Sequence, residues 1–284
     1  MKKTHYFISI LLLAGLCACT NQQPATFKVM TFNVRYDNPD DSLNSWPYRK
    51  DAAAEIIREY DVDVLGTQEV LHHQLNDLKD RLPGYDAIGV GRADGKEAGE
   101  YSAIFYKQDK FDEELSGWFW LSETPEVAGS KGWDAACERI ATWAVLKEKH
   151  SHKRLFFINT HLDHVGQTAR REGAKLLLDR VAALSDGLPV VITGDFNASP
   201  ESDVIQQVLT GGIFFDTRLL ATPAPEINGT FHGFGAIPVE RRPIIDYIFV
   251  TGHVAVNAYT VVPEKREAVY LSDHRPVYVE IEIQ

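Results

Sequence analysis

The stretch VVITGDFN, residues 190–197, decides how the rest of the chain is read. Val190, Val191 and Ile192 have the composition of a strand buried on both faces. At Gly194 the run breaks into Asp195 and Asn197. Taken alone, that ending is a turn, because Gly tolerates unusual backbone angles and Asp and Asn side chains bond to nearby backbone groups. It becomes something else only if other strands end the same way.

They do. FKVMTFN (27–33) ends in Asn33, VDVLGTQE (62–69) ends in Gln68 and Glu69, and FFINTH (156–161) ends in His161. DYIFV (246–250) opens on Asp246, and Asp273 with His274 stands just before PVYVEI (276–281). YSAIFY and RIATWAVLK add further strand-like runs. Between strands, Ala174, Leu177, Leu178, Val181 and Leu184 keep helical spacing, as do Ala53, Ile56, Ile57 and Tyr60. Ser199, Pro200 and Glu201 read as a cap, a first-position proline and a favourable first-turn charge, which predicts a helix start there. Alternating strands and one-faced helices together imply sheets packed on each other with helices outside.

Polar residues at strand edges can converge on one rim. The set contains carboxylates, carboxamides and two histidines, with no serine nucleophile motif. Hard oxygen donors suit Mg²⁺ or Mn²⁺, which keep room for waters and a substrate phosphate. Imidazoles beside carboxylates move protons near neutral pH.

The words TFNVR, TQE, THLDH, GDFN, DYIFV and SDH, in that order, resemble the endonuclease/exonuclease/phosphatase superfamily of metal-dependent phosphoesterases, from about Thr26 to the C-terminus. The resemblance implies an α/β four-layer sandwich of two mixed β-sheets flanked by helices, with a pocket where the strand ends meet. It implies Glu69 as the principal metal carboxylate, with Asn33 and Asp273 in the metal's surroundings. Asp195 matches the residue that orients or deprotonates the attacking water, and Asn197 matches one that holds a phosphate oxygen or the metal shell. His274 matches the histidine at phosphorus, with Asp246 fixing its tautomer. His161 matches a second histidine, paired with Glu100, and Arg139 matches a phosphate-contacting arginine.

The whole chain limits what the substrate can be. Residues 1–18 read as a lipoprotein signal peptide, with FISILLLAGLCA too short to remain a spanning helix. Cys19 is the lipidation site, residues 19–26 form a tether, and 27–284 form one domain. This reading exports the protein and anchors it by lipid in a bacterial envelope, at the outer membrane, with no protein partner evident. Only Cys137 would then remain, so no intrachain disulfide is possible. The formal charge of −11 becomes −13 once Lys2 and Lys3 leave with the signal, which disfavours tight binding to long nucleic acid.

Specificity is expected in the loops between the words. They carry Trp46, Arg49, Trp118, Trp120, Trp133, His232, Arg241 and Arg242. Trp133, His232 and Arg242 are taken as substrate-binding candidates, each with an ordinary packing or surface alternative. His161 and His164 have a zinc-like spacing, but on one strand they would point to opposite faces, and no cysteine completes a set. Three functions follow from this reading: a phosphoesterase acting on a small sugar, inositol or nucleotide-like phosphate, an envelope nuclease acting on DNA or RNA, and an inactive lipoprotein that binds phosphorylated ligands.

Overall fold

A computed structural model describes residues 24–223 and 228–283. Residues 1–18 and Cys19 lie outside the described residues. The strands in chain order are β1 (Ala25–Asn33), β2 (Val64–Gln68), β3 (Tyr85–Ile88), β4 (Ile104–Lys107), β5 (Phe111–Trp120), β6 (Ile140–Glu148) and β7 (Arg154–His161). They continue with β8 (Val190–Asp195), β9 (Phe214–Asp216), β10 (Asp246–Thr251), β11 (Val254–Val261), the two-residue β12 (Lys265–Arg266) and β13 (Val269–Tyr270), and β14 (Val277–Ile283). The helices are α1 (Trp46–Glu59), α2 (His72–Arg81), α3 (Gln167–Leu184), α4 (Asp203–Leu209) and α5 (Thr217–Leu220).

One six-stranded sheet has the order β11-β14-β1-β2-β4-β3, and the other has the order β5-β6-β7-β8-β10-β9. Each is mixed: β1 runs parallel to β2 and β7 runs parallel to β8, while the other pairings are antiparallel. Alternation along each strand decides which residues meet. Phe27 and Val29 of β1 face Phe157 of β7 and Val191 of β8 in the layer between the sheets. Met30 and Phe32 turn outward onto α1 and α2, and Ile158 and Ile192 turn outward onto α3 and α4. The result is an α/β sandwich of two mixed sheets flanked by helices, as the sequence implied.

The inter-sheet layer changes character along its length. Its inward residues run Val29, Thr31, Asn33 on β1; Val64, Gly66, Gln68 on β2; Phe157, Asn159, His161 on β7; Val191, Thr193, Asp195 on β8; and Val250, Ile248, Asp246 on β10. One end is apolar, the middle carries hydroxyls and amides, and the far end carries the ionisable groups.

Three expectations need correction. The helix after GDFN starts at Asp203, with the Ser202 hydroxyl accepting from the Ile205 N–H; Ser199 instead closes a turn, its carbonyl taking the Ser202 N–H. Residues 116–120, expected in a loop, belong to the long edge strand β5, where Trp120 is buried and Trp118 is exposed. Trp46 and Arg49 are fully buried rather than presented to ligand, and Arg49 holds the carbonyls of Val34 and Leu271.

Candidate active site

The strand ends that carry the polar words border a cavity of about 440 Å³. Its wall includes Glu69, Glu100, Arg139, His161, Asp195, Asn197, Asp273 and His274. Register does much of the alignment. Asp195 of β8 sits beside His161 of β7 in the parallel pair and beside Asp246 of β10 in the antiparallel one.

Asn33 is the buried hub. Its Nδ2 donates to Glu69 Oε1 at 3.0 Å and to Asp195 Oδ2 at 3.0 Å, and it lies 3.4 Å from His274 Nε2. Glu69 follows β2 in a left-handed conformation, φ 62°. That backbone is uncommon for a side chain of this kind, and such positions concentrate at functional sites. The turn delivers Glu69 Oε2 to the Tyr36 N–H at 3.1 Å. Asp273 faces the same region; burial and the charge of Glu69 push its carboxyl up, while His274 and Arg35 pull it down.

Two histidines stand in opposite states. His274 Nδ1 lies 2.9 Å from Asp246 Oδ2. Burial alone would push its pKa down, but the charge and hydrogen bond of Asp246, with Asp195 and Asp273, hold it well above the ordinary value. It is therefore an imidazolium. Burial pushes His161 well down, with Arg139 and Arg92 adding to the effect, so this ring is neutral. Its Nε2 meets Asn197 Nδ2 at 3.0 Å and lies 3.5 Å from Asp195 Oδ2. Between the rings, burial and the neighbouring charge of Asp246 push Asp195 up to about 7.

Glu69 and Asp273 fit a hard divalent cation; Asn33, expected in the metal's surroundings, turns its Nδ2 donor rather than its oxygen toward Glu69, its Oδ1 accepting the Arg35 N–H at 3.0 Å, so it positions the carboxylate instead of adding a ligand. Burial and the charge of Glu69 make the Asp273 carboxylate costly to ionise, and the nearest cation, Arg35, is 3.9 Å from Glu69 and 3.8 Å from Asp273 because it is engaged at 2.9 and 3.1 Å with Asp41. Asp195, Asp246 and His274 also bring ligand atoms within 4.8 Å of one another. The Asp246 hydrogen bond to a charged His274 makes that second set a better proton site than a metal site.

The expected pairing of Glu100 with His161 is not made. Glu100 Oε1 accepts from Arg92 Nη2 at 2.7 Å, and His161 Nδ1 is buried with no partner among the described residues. Of the substrate-binding candidates, Arg139 lines the cavity and Trp133, His232 and Arg242 do not. Arg242 is engaged with Glu264 at 2.7 Å, His232 packs flat against Tyr270 with ring centroids 5.5 Å apart, and Trp133 occupies a left-handed turn tied to Glu123. The opposite-face argument for His164 also fails, because β7 ends at His161 and both rings border the cavity. Cys137, Asp163 and His164 do cluster within 4.8 Å. That cluster does not suit a cation: Asp163 accepts the N–H groups of Ala136, Val165 and Gly166, and Arg139 Nη2 sits 2.9 Å from His164 Nδ1.

Sequence reasoning did not single out Arg35, Tyr36, Arg92, Cys137, Phe231 and Ile245, which also line the cavity. Arg35 was visible as the last letter of TFNVR. Phe231 could have been found only by knowing that it bridges to His274, against which its ring packs at 4.8 Å.

Comparison with known proteins agrees with the geometry. The family model described as "Endonuclease/Exonuclease/phosphatase family" matches residues 30–274. The chain is similar to an endonuclease/exonuclease/phosphatase from Bacteroides vulgatus, at 44% identity and TM-score 0.89, covering 92% of this chain and 100% of that one. It is similar to a mannosyl-6-phosphatase from Bacteroides thetaiotaomicron at 41% identity and TM-score 0.85, covering 90% and 99%. It also resembles Nocturnin of Xenopus laevis, at 27% identity over 279 residues, spanning 87% of this chain and 68% of that protein; of Nocturnin from Drosophila melanogaster it spans 37%. The chain therefore belongs to the endonuclease/exonuclease/phosphatase family, whose members are hydrolases acting on phosphoester bonds.

Proposed function

We propose that this protein hydrolyses the phosphate ester of a small phosphorylated sugar, by direct attack of water and with Mg²⁺ or Mn²⁺. The observation that carries the reading is the cavity itself: about 440 Å³, lined by three guanidinium groups and four carboxylates around His161 and His274. That is the size of a small-molecule site. A chain of net charge −11 offers no general attraction to a polymer of phosphates. The likeness to a mannosyl-6-phosphatase supports the same class.

A divalent cation held by Glu69 and Asp273 would neutralise charge on the phosphate oxygens. The chain's own residues supply the rest. Asp195, with its pKa near neutrality, is poised to take a proton from water, and the Asn33 amide orients it. Imidazolium His274, backed by Asp246, faces charge that develops on the phosphoryl group, Nη1 of Arg139, unpartnered among the described residues, adds a donor, and Asn197 holds His161 through Nδ2. Cys137 borders the cavity, but burial pushes its thiol up, so no thiolate competes with water as nucleophile.

A panel of sugar 6-phosphates, an aryl phosphodiester and single-stranded RNA and DNA, assayed with Mg²⁺ and with EDTA, tests this reading. Preferential hydrolysis of nucleic acid would replace it with an envelope nuclease, and metal-independent silence on every ester would replace it with a phospho-ligand-binding protein. We also propose that Cys19 is lipidated, which mass spectrometry of the membrane fraction would detect and Cys19→Ser would abolish.

A further inference from the structure

We propose that Arg92 makes the cavity select a terminal phosphate, the dianion of a monoester, over a phosphodiester; the inference rests on the phosphoesterase reading of the same site. Arg92 lies in the 89–100 segment, yet it is mounted as firmly as a residue in a strand. Its N–H donates to the Glu100 carbonyl at 3.1 Å, and its own carbonyl accepts from Nε1 of the buried Trp120 at 2.7 Å. The segment is folded on itself through Gly91 N–H to Lys96 O at 2.9 Å and Ala93 N–H to Ala98 O at 3.0 Å. Gly91 is required there, because a Cβ would stand 2.2 Å from the Ala98 carbonyl oxygen. The Arg92 side chain is then steered into the cavity wall by Nη2 donating to Glu100 Oε1 at 2.7 Å. One of the five guanidinium N–H groups is used this way, and the others have no hydrogen-bond partner among the described residues.

Arg139 stands on the same wall, 4% exposed, and its Nη1 has no partner among the described residues. A buried guanidinium N–H left unpaired is unfavourable until an acceptor arrives. Both cations act on His161, whose neutrality they help to enforce after burial. A monoester phosphate offers three non-bridging oxygens carrying nearly two charges, whereas a diester offers two oxygens carrying one. His274 serves either ester. The open N–H groups of Arg92 and Nη1 of Arg139 have a third charged oxygen to receive only in the monoester; in a diester that position is a bridging oxygen, a weaker acceptor that carries a carbon substituent into the wall.

The test uses the full chain as wild type, Arg92→Gln and Arg92→Lys, with Mg²⁺. Mannose 6-phosphate and bis(p-nitrophenyl) phosphate are the substrates, and inorganic phosphate is titrated calorimetrically. Arg92→Gln keeps a hydrogen-bond partner for Glu100 and removes the charge. It should lower kcat/KM for the monoester about 30-fold and weaken inorganic phosphate about 10-fold, with the diester changed less than about 3-fold. Arg92→Lys should recover part of the monoester rate. Equal losses on both esters, or no loss on either, would overturn the inference. Thermal unfolding of each variant identifies any loss of folded protein, and calorimetry below that transition still reads the phosphate subsite. Failure of the proposed function shows in the wild type alone, as absence of metal-dependent monoester hydrolysis; failure of the inference shows as a wild-type monoesterase whose selectivity Arg92→Gln leaves unchanged.

Discussion

Asn159 offers the sharpest test of how the sandwich holds its site. It is fully buried between the sheets, two residues before His161 on the same face of β7. Its Nδ2 donates across to the other sheet, to Thr67 O at 2.7 Å, and to Ala103 O at 3.0 Å. Its Oδ1 accepts from Gln68 Nε2 at 2.7 Å and from Thr193 Oγ1 at 3.0 Å. Gly66 makes the approach possible, since a Cβ there would fall 2.2 Å from Thr193 Oγ1 and 2.6 Å from Asn159 Oδ1. Asn159→Leu keeps roughly the volume and deletes all four bonds. At about 1 kcal/mol net for each, the loss is about 4 kcal/mol, a large part of the 5–15 kcal/mol by which domains are stable. Urea unfolding, followed by tryptophan fluorescence, should show a midpoint lowered by more than about 1 M with little change in slope. Because Gln68 precedes Glu69 and Thr193 lies two residues before Asp195 on the same face of β8, kcat should fall as well, at temperatures where the variant is folded. Asn159→Asp should be equally damaging at neutral pH, because it aims an oxygen at two carbonyls, and should improve as the pH falls and that oxygen gains a proton. A variant with Leu that loses less than 1 kcal/mol would show that this amide is not what fixes the two sheets to each other.

Other expectations concern charge. Asp246→Asn preserves shape but removes what holds His274 charged: its imidazole pKa, followed by NMR, should fall, and kcat should drop at least about 100-fold. EDTA should abolish activity; Mg²⁺ should raise the melting temperature of the wild type but not of Glu69→Gln, whose metal-free form should be no less stable because Asp273 loses a repulsive neighbour. His232 is buried, and burial lowers its pKa from 6.5 to about 4. The unfolded chain therefore binds the proton first as the pH falls, and stability should decline between about pH 6.5 and 4 by roughly 3 kcal/mol, a slope absent from His232→Gln in parallel denaturation curves.

The central strands were legible because burial on both faces writes itself as uninterrupted apolar runs ending in polar words. The edge strands were not. In β5 the run Asp112, Glu113, Glu114 faces solvent, and β11 mixes exposed and half-covered residues, so neither carries a pattern that separates it from a loop. The same distinction divides the site. Asn33, Glu69, His161, Asp195, Asp246 and His274 sit on or beside central strands, where sequence position fixes spatial position. Arg92 reaches the cavity only because Trp120 and Glu100, 28 and 8 residues away, hold its loop. Arg242 and His232 were misjudged for the converse reason: their partners Glu264 and Tyr270 come from a later segment, and nothing in NGTFHGFGAIPVERRP reveals that they are already engaged.

The polarity gradient between the sheets explains why a site of this composition is compatible with a stable fold. Ionisable groups packed together as these are would be unfavourable in an apolar core, where an unpaired charge is shed by a shift in pKa. Here they begin only where the strands end. The step between apolar core and charge is filled by groups that are polar but uncharged, Thr31, Gln68, Asn159 and Thr193, which bond to one another in a chain that crosses between the sheets at Gln68 and Asn159. Those amides and hydroxyls give the ionisable ends a rigid floor without adding charge beneath them. Electrostatic strain is thereby confined to the cavity, where it has a use. Burial, with the neighbouring charges of Asp246 and Glu69, pushes up the carboxyls of Asp195 and Asp273, while the surrounding carboxylates hold His274 charged, and a cation with a phosphate ester would relieve that crowding. The same crowding that makes the unliganded site costly is what favours its ligands.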